Sequence, residues 1–106
     1  MKGRHLVTTE AVLNEFLSAV AVKDNHMRQA AAKFVRSILD HANVEVVPAS
    51  SELFRKGLEM YSQRADKTYS CVDCMSMVVM KDRNITDILT LDHHFAQESF
   101  VLLMEA

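Results

Sequence analysis

The stretch Ile85-Thr86-Asp87-Ile88-Leu89-Thr90-Leu91-Asp92-His93-His94-Phe95 decides the fold. Ile85, Ile88, Leu89 and Leu91 form an apolar run too short for a helix of ordinary length. Bounded by polar residues, such a run predicts a strand covered on both faces and ending at Asp92. In open α/β sheets, ligands bind at the carboxyl ends of the strands. One acid at a strand end proves nothing, but Glu15 and Asp73 occupy comparable places in their own units.

Upstream of that strand, Ser70 to Asp73 has the form of a capping box, with Ser70 as N-cap and Asp73 at the third helical position. The helix it opens carries Met75, Val78, Val79 and Met80 inward, and the polar segment 64–69 before it reads as a loop. Earlier still, Ser50 or Ser51 caps a helix whose expected inner face is Leu53, Phe54, Leu58 and Tyr61. Gly57 counts against that helix, since an interior glycine costs about 1 kcal/mol. Val44, Val46 and Val47 make a β-branched strand stopped by Pro48. Before it, Asp24 caps a helix in which Met27, Ala30, Ala31, Phe34, Val35, Ile38, Leu39 and Ala42 recur at helical spacing, ended by Asn43. The first helix, capped by Thr9, is expected to reach Val22, with Val12, Leu13, Phe16, Leu17 and Val20 as its apolar stripe. Glu15 lies on its flank beside Ala11, Ala19 and Val22, at the border of buried surface. Residues 5–8 form a short β-like stub. Beyond the opening stretch, a short helix over 93–97 and a last strand over 100–104 complete the chain.

At 106 residues, 49% hydrophobic and 25% charged, the chain has ordinary globular composition and one core, so residues 1–106 read as a single domain. The net charge of −2 gives no bulk attraction to nucleic acid. No apolar run is long enough to span a membrane, and the N-terminus lacks a signal-peptide core, so a cytoplasmic protein is expected. Cys71 and Cys74 make a single CxxC around Asp73, which reads as two small apolar residues, with zinc or redox chemistry as the alternative. His93 and His94 are adjacent and cannot easily share one metal. Arg64 and Lys67, and from the first strand Lys2 and Arg4, could meet a phosphate backbone; a solvated polar surface is the plainer reading.

Strands alternating with helices imply an α/β fold with a mainly parallel sheet and helices on its faces. There, strand ends and the starts of following helices lie on one edge, where Glu15, Asp73 and Asp92 could converge. Clustered carboxylates repel and normally need a cation; oxygen ligands suit Mg²⁺ or Mn²⁺. The usual work of such a site is phosphodiester hydrolysis. Each acid also has a plainer reading. Asp73 completes a capping box, Asp92 caps the helix after it, and Glu15 is a solvated surface acid. Ser76 and Thr90 read as local hydrogen-bonders.

Taken in order, TTEAVLNEF (8–16), DKTYSCVDCMSMVVM (66–80), ITDILTLDHHF (85–95) and SFVLL (99–103) resemble the PIN-domain family, and within it the VapC-type toxin ribonucleases. The resemblance covers nearly the whole chain. It implies a three-layer α/β/α, Rossmann-like fold and a metal-dependent endoribonuclease holding Mg²⁺ or Mn²⁺. The family's acids fall on Glu15, Asp73 and Asp92, with Ser76 and Thr90 beside the metal. It also implies RNA as substrate, an antitoxin protein that covers the site, and a homodimer. Family members begin with a strand, central in their sheet, that ends in a further acid, and this chain starts after that segment. The expectation is therefore a fold with its N-terminal strand missing, an exposed sheet edge open to dimerisation, and weakened activity. The alternative is a catalytically inactive module that binds an antitoxin or itself.

Overall fold

The computed structural model describes residues 5–64 and 68–85 in full, and 87–92 and 100–105 as backbone. The elements are β1 (Leu6–Thr9), α1 (Glu10–Val20), α2 (Asn25–Asp40), β2 (Val44–Val47), α3 (Ser51–Gln63), α4 (Cys71–Asp82), β3 (Asp87–Asp92) and β4 (Phe100–Glu105). All four described helices start on the expected caps. Thr9 accepts from the Val12 N–H at 3.1 Å, Asp24 from Met27 at 2.9 Å, Ser50 from Leu53 at 3.0 Å and Ser70 from Asp73 at 3.0 Å. Each bond satisfies an amide that the helix leaves without a partner. Two helices stop earlier than expected. Helix α1 ends at Val20 and leaves Val22 84% exposed; α2 ends at Asp40, short of Ala42, and leaves Leu39 outside the core. The expected helix over 93–97 lies outside the described residues.

Strand order is β2-β1-β4-β3. β1 and β2 pair in parallel from Leu6↔Val44 to Thr9↔Val47. β4 runs antiparallel to both neighbours, meeting β1 at Leu6↔Glu105 and Val7↔Met104, and β3 from Asp87↔Glu105 to Asp92↔Phe100. β1, β2 and β3 therefore share one direction, as an α/β reading requires, while the hydrogen-bonded ladders are mixed. The reason lies in the connection. Parallel neighbours need a crossover of about a dozen residues or more, and 93–99 is too short to supply one. The inserted β4 also corrects the expectation of an open edge beside β1, because β4 occupies it.

Alternation along the strands splits the core into two faces. Leu6, Val44 and Val46 pack with Val12, Leu13, Phe16, Val20, Ala31, Val35 and Ile38 of α1 and α2. Phe16 and Phe34 meet edge-to-face at 5.7 Å across those helices. Val7 and Val47 turn the other way, to Leu53, Val79, Met80 and Ile85. The result is three layers: α1–α2, sheet, α3–α4.

Helix α3 corrects its expected inner face. Phe54, Leu58 and Tyr61 are 50%, 47% and 50% exposed, whereas Gly57 is buried and Leu53 and Met60 are half-buried. The apolar residues of this helix form one broad arc, from Met60 and Leu53 through Gly57 to Tyr61, Phe54 and Leu58, so periodicity alone does not say which edge of the arc is buried. Gly57 chooses: a Cβ there would stand 2.5 Å from Met75 Cγ, so the glycine side lies against α4.

Candidate active site

Asp73 stands at the third position of α4 because Ser70 and Asp73 cap each other. Ser70 Oγ accepts from the Asp73 N–H at 3.0 Å, and Asp73 Oδ2 accepts from the Ser70 N–H at 3.0 Å. The structural role read from the sequence is thus present. It occupies one carboxylate oxygen and leaves the rest of the group's acceptor capacity available. The positive end of the helix dipole favours the charge there.

Glu15 reaches toward Asp73 from α1. It is exposed, yet its carboxyl is raised above the usual value, first by partial loss of water and then by the negative charge of Asp73. Acids far apart in sequence thus come within electrostatic reach of each other. One helical turn beyond Asp73, Ser76 is 2% exposed and its Oγ has no hydrogen-bond partner among the described residues. This departs from the reading of Ser76 as a local hydrogen-bonder. A buried hydroxyl left unmade costs about 1–3 kcal/mol, and sequence offers no signal for it, because a helical serine ordinarily bonds the preceding turn.

Asp92 is the last residue of β3, as expected, and Thr90 pairs with Leu102 in the β3–β4 ladder. Because β3 runs with β1, Asp92 lies at the same carboxyl edge as Thr9. The side chains of Thr90 and Asp92 lie outside the described residues, as do Lys2, Arg4, Lys67, His93 and His94. Among the described residues no group of three His, Cys, Asp or Glu is placed to hold a metal; what is brought together is the Glu15–Asp73 pair.

Cys71 and Cys74 are free thiols in the first turn of α4, and Cys74 is fully buried. Burial pushes the Cys74 thiol up, the charges of Cys71 and Asp73 add to that, and Arg64 opposes it. Arg64, at the end of α3, therefore stands near the start of α4. No helix among the described residues is long and apolar enough to cross a membrane.

Searches of curated proteins and of solved structures returned no match to this chain. A family model described as the PIN domain matches residues 2–100. That match spans nearly the whole chain and agrees with the α/β layers and with the two acids gathered at α1 and α4, and so the chain belongs to the PIN-domain family, whose members are generally nucleases.

Proposed function

We propose that this chain is a metal-dependent endoribonuclease of the VapC toxin type, acting in the cytoplasm on RNA phosphodiester bonds. The observation that carries this is the Glu15–Asp73 pair: two acids from separate helices approach each other, and the Glu15 carboxyl is raised first by burial and then by the charge of Asp73. Such a pair is unfavourable without a cation and favourable with one. The donor set fits. Carboxylate oxygens suit a hard divalent ion, and the Ser76 Oγ, one turn from Asp73, is a further oxygen without a partner among the described residues.

Glu15, Asp73 and Asp92 would hold Mg²⁺ or Mn²⁺, directly or through water, with Ser76 and Thr90 beside them. When bound, that ion supplies the charge that activates water and stabilises the leaving oxygen. The protein's own contribution is positional. The capping box fixes Asp73 on a helix start, and the α1–α4 packing sets Glu15 against it. Arg64, with Lys67, would take the RNA backbone as a phosphate contact that positions without reading sequence. An antitoxin covering this edge, and a dimer of the chain, complete the reading.

The test is cleavage of RNA by the purified chain in Mg²⁺ and in Mn²⁺, with a chelator, Glu15→Gln, Asp73→Asn and Asp92→Asn as controls. Cleavage lost in every control is expected. Cleavage that survives Asp73→Asn and the chelator refutes the site. No cleavage with either metal would favour an inactive module that binds an antitoxin or itself.

A further inference from the structure

The sequence holds two cysteines, and both stand in the first turn of α4, on either side of Asp73. The nuclease reading gives them no task. Both thiols are free; Cys71 is half-buried, and Cys74 has no exposed surface. Of the pair, only Cys71 keeps solvent contact. In a redox site built from neighbouring cysteines, that division sets the order of events. The reachable thiol meets the oxidant, and the shielded one resolves the product.

Helix geometry brings the two within bonding reach. Residues three apart in an α-helix have Cα atoms about 5 Å apart, inside the range of roughly 4.4–6.8 Å that a disulfide spans. Their Cβ atoms are about 5–6 Å apart, against about 4 Å in a disulfide, so closing the bond tightens the turn by about 1 Å or more. The position permits this. Cys71 is the first residue of the helix, and its N–H has no intrahelical partner to lose. What the tightening disturbs is Asp73. The Cys74 N–H donates to Ser70 O at 3.0 Å, the Asp73 N–H to Ser70 Oγ at 3.0 Å, and the Ser70 N–H to Asp73 Oδ2 at 3.0 Å. These bonds hold the same turn that the bridge would close, so the bridge cannot form without changing them. The capping box is also what orients the Asp73 carboxylate.

We infer that Cys71 and Cys74 are a redox site: a low-molecular-weight disulfide oxidises them to an intrahelical disulfide that displaces Asp73, and reduction restores it. The Cys71 thiolate attacks one sulfur of the oxidant, whose S–S bond breaks and releases one thiol. The Cys74 thiolate then attacks the Cys71 sulfur of the mixed disulfide, and the second thiol leaves. The two protons end on the two released thiols, and two electrons pass from the protein to the oxidant. The bridge itself is independent of the nuclease reading; its consequence for metal binding rests on that reading.

The test equilibrates the full chain in glutathione buffers of graded potential and reads the product by mass and on a non-reducing gel. Loss of two hydrogen atoms, a monomeric band and full reversal by a dithiol are expected. A chain that stays reduced throughout, a stable glutathione adduct or a disulfide between two chains overturns the site. Amide hydrogen exchange of the metal-free chain reads the capping box. The Ser70 and Asp73 amides should exchange several-fold faster when oxidised, and unchanged exchange overturns the displacement of Asp73. Calorimetric titration with Mn²⁺ should show about tenfold or weaker binding to the oxidised chain, as when a group orienting a metal ligand is lost. Cys71→Ser should bind as the reduced chain does in every buffer. Equal affinity in both states overturns the coupling to the metal. Absence of Mn²⁺ binding even when reduced counts against the nuclease reading alone, and the mass and exchange results still decide the redox site.

Discussion

Replacing Gly57 by alanine sets two known effects against each other at one position. In an isolated helix the change gains about 1 kcal/mol of propensity. Here the new Cβ would stand 2.5 Å from Met75 Cγ, 3.3 Å from Met75 N and 3.4 Å from Met75 Cα. Cγ is the first atom beyond Met75 Cβ, not the far end of the side chain, so moving it forces a change of χ1 against the surrounding packing. The backbone atoms cannot move unless α3 and α4 separate by a few tenths of an ångström. Overpacking of this kind costs about 1–3 kcal/mol. The net expectation is a loss of about 1 kcal/mol, which for a domain near this size lowers Tm by about 5 °C. Urea unfolding of wild type, Gly57→Ala, Met75→Ala and the double variant forms the cycle that isolates the contact. Met75→Ala frees the space taken by Cγ, so the double variant should be more stable than the sum of the single effects, by about 1 kcal/mol. If Gly57→Ala raises stability by its full propensity gain, and Met75→Ala adds independently, then α3 does not approach α4 this closely. The exposed assignment of Phe54, Leu58 and Tyr61 would fall with it.

Two further predictions concern pH. The Glu15 carboxyl is raised in the folded chain, so the unfolded state sheds its proton more readily; ionised Glu15 is a liability at neutral pH, and the liability disappears as pH falls through the raised value. Glu15→Gln should therefore stabilise the metal-free chain at pH 7 and lose that advantage in acid, measured by urea midpoints across pH; an advantage independent of pH would refute the pairing with Asp73. Glu45 behaves oppositely. The Arg83 hydrogen bond lowers its pKa, partly opposed by burial, and His5 at 3.7 Å adds to the lowering. Its contribution is present above the ordinary carboxylate value and fades as pH falls through the lowered one. Because both side chains are about 40% exposed, Arg83→Ala should cost less than about 1 kcal/mol at neutral pH. The difference from wild type should shrink in acid and at high salt; a difference unaffected by either would mean the pair does not act electrostatically.

What sequence alone determined is local. Thr9, Asp24, Ser50 and Ser70 were legible as caps because a cap bonds an amide only a few residues away, so the whole interaction lies within a short window. The strand ending at Asp92 was legible for the same kind of reason, and the ordered acids pointed to the family before any geometry was available. Tertiary structure decided everything that depends on a partner distant in the chain. The working face of α3 turns on the approach of Gly57 to Met75, which its own periodicity does not encode. The insertion of β4 between β1 and β3 depends on which strands lie beside it in space, which its own sequence does not encode. The field between Glu15 and Asp73 exists only because α1 and α4 pack together. Hydrogen bonds within one turn are determined by neighbours along the chain, whereas faces, edges and fields are determined by neighbours in space.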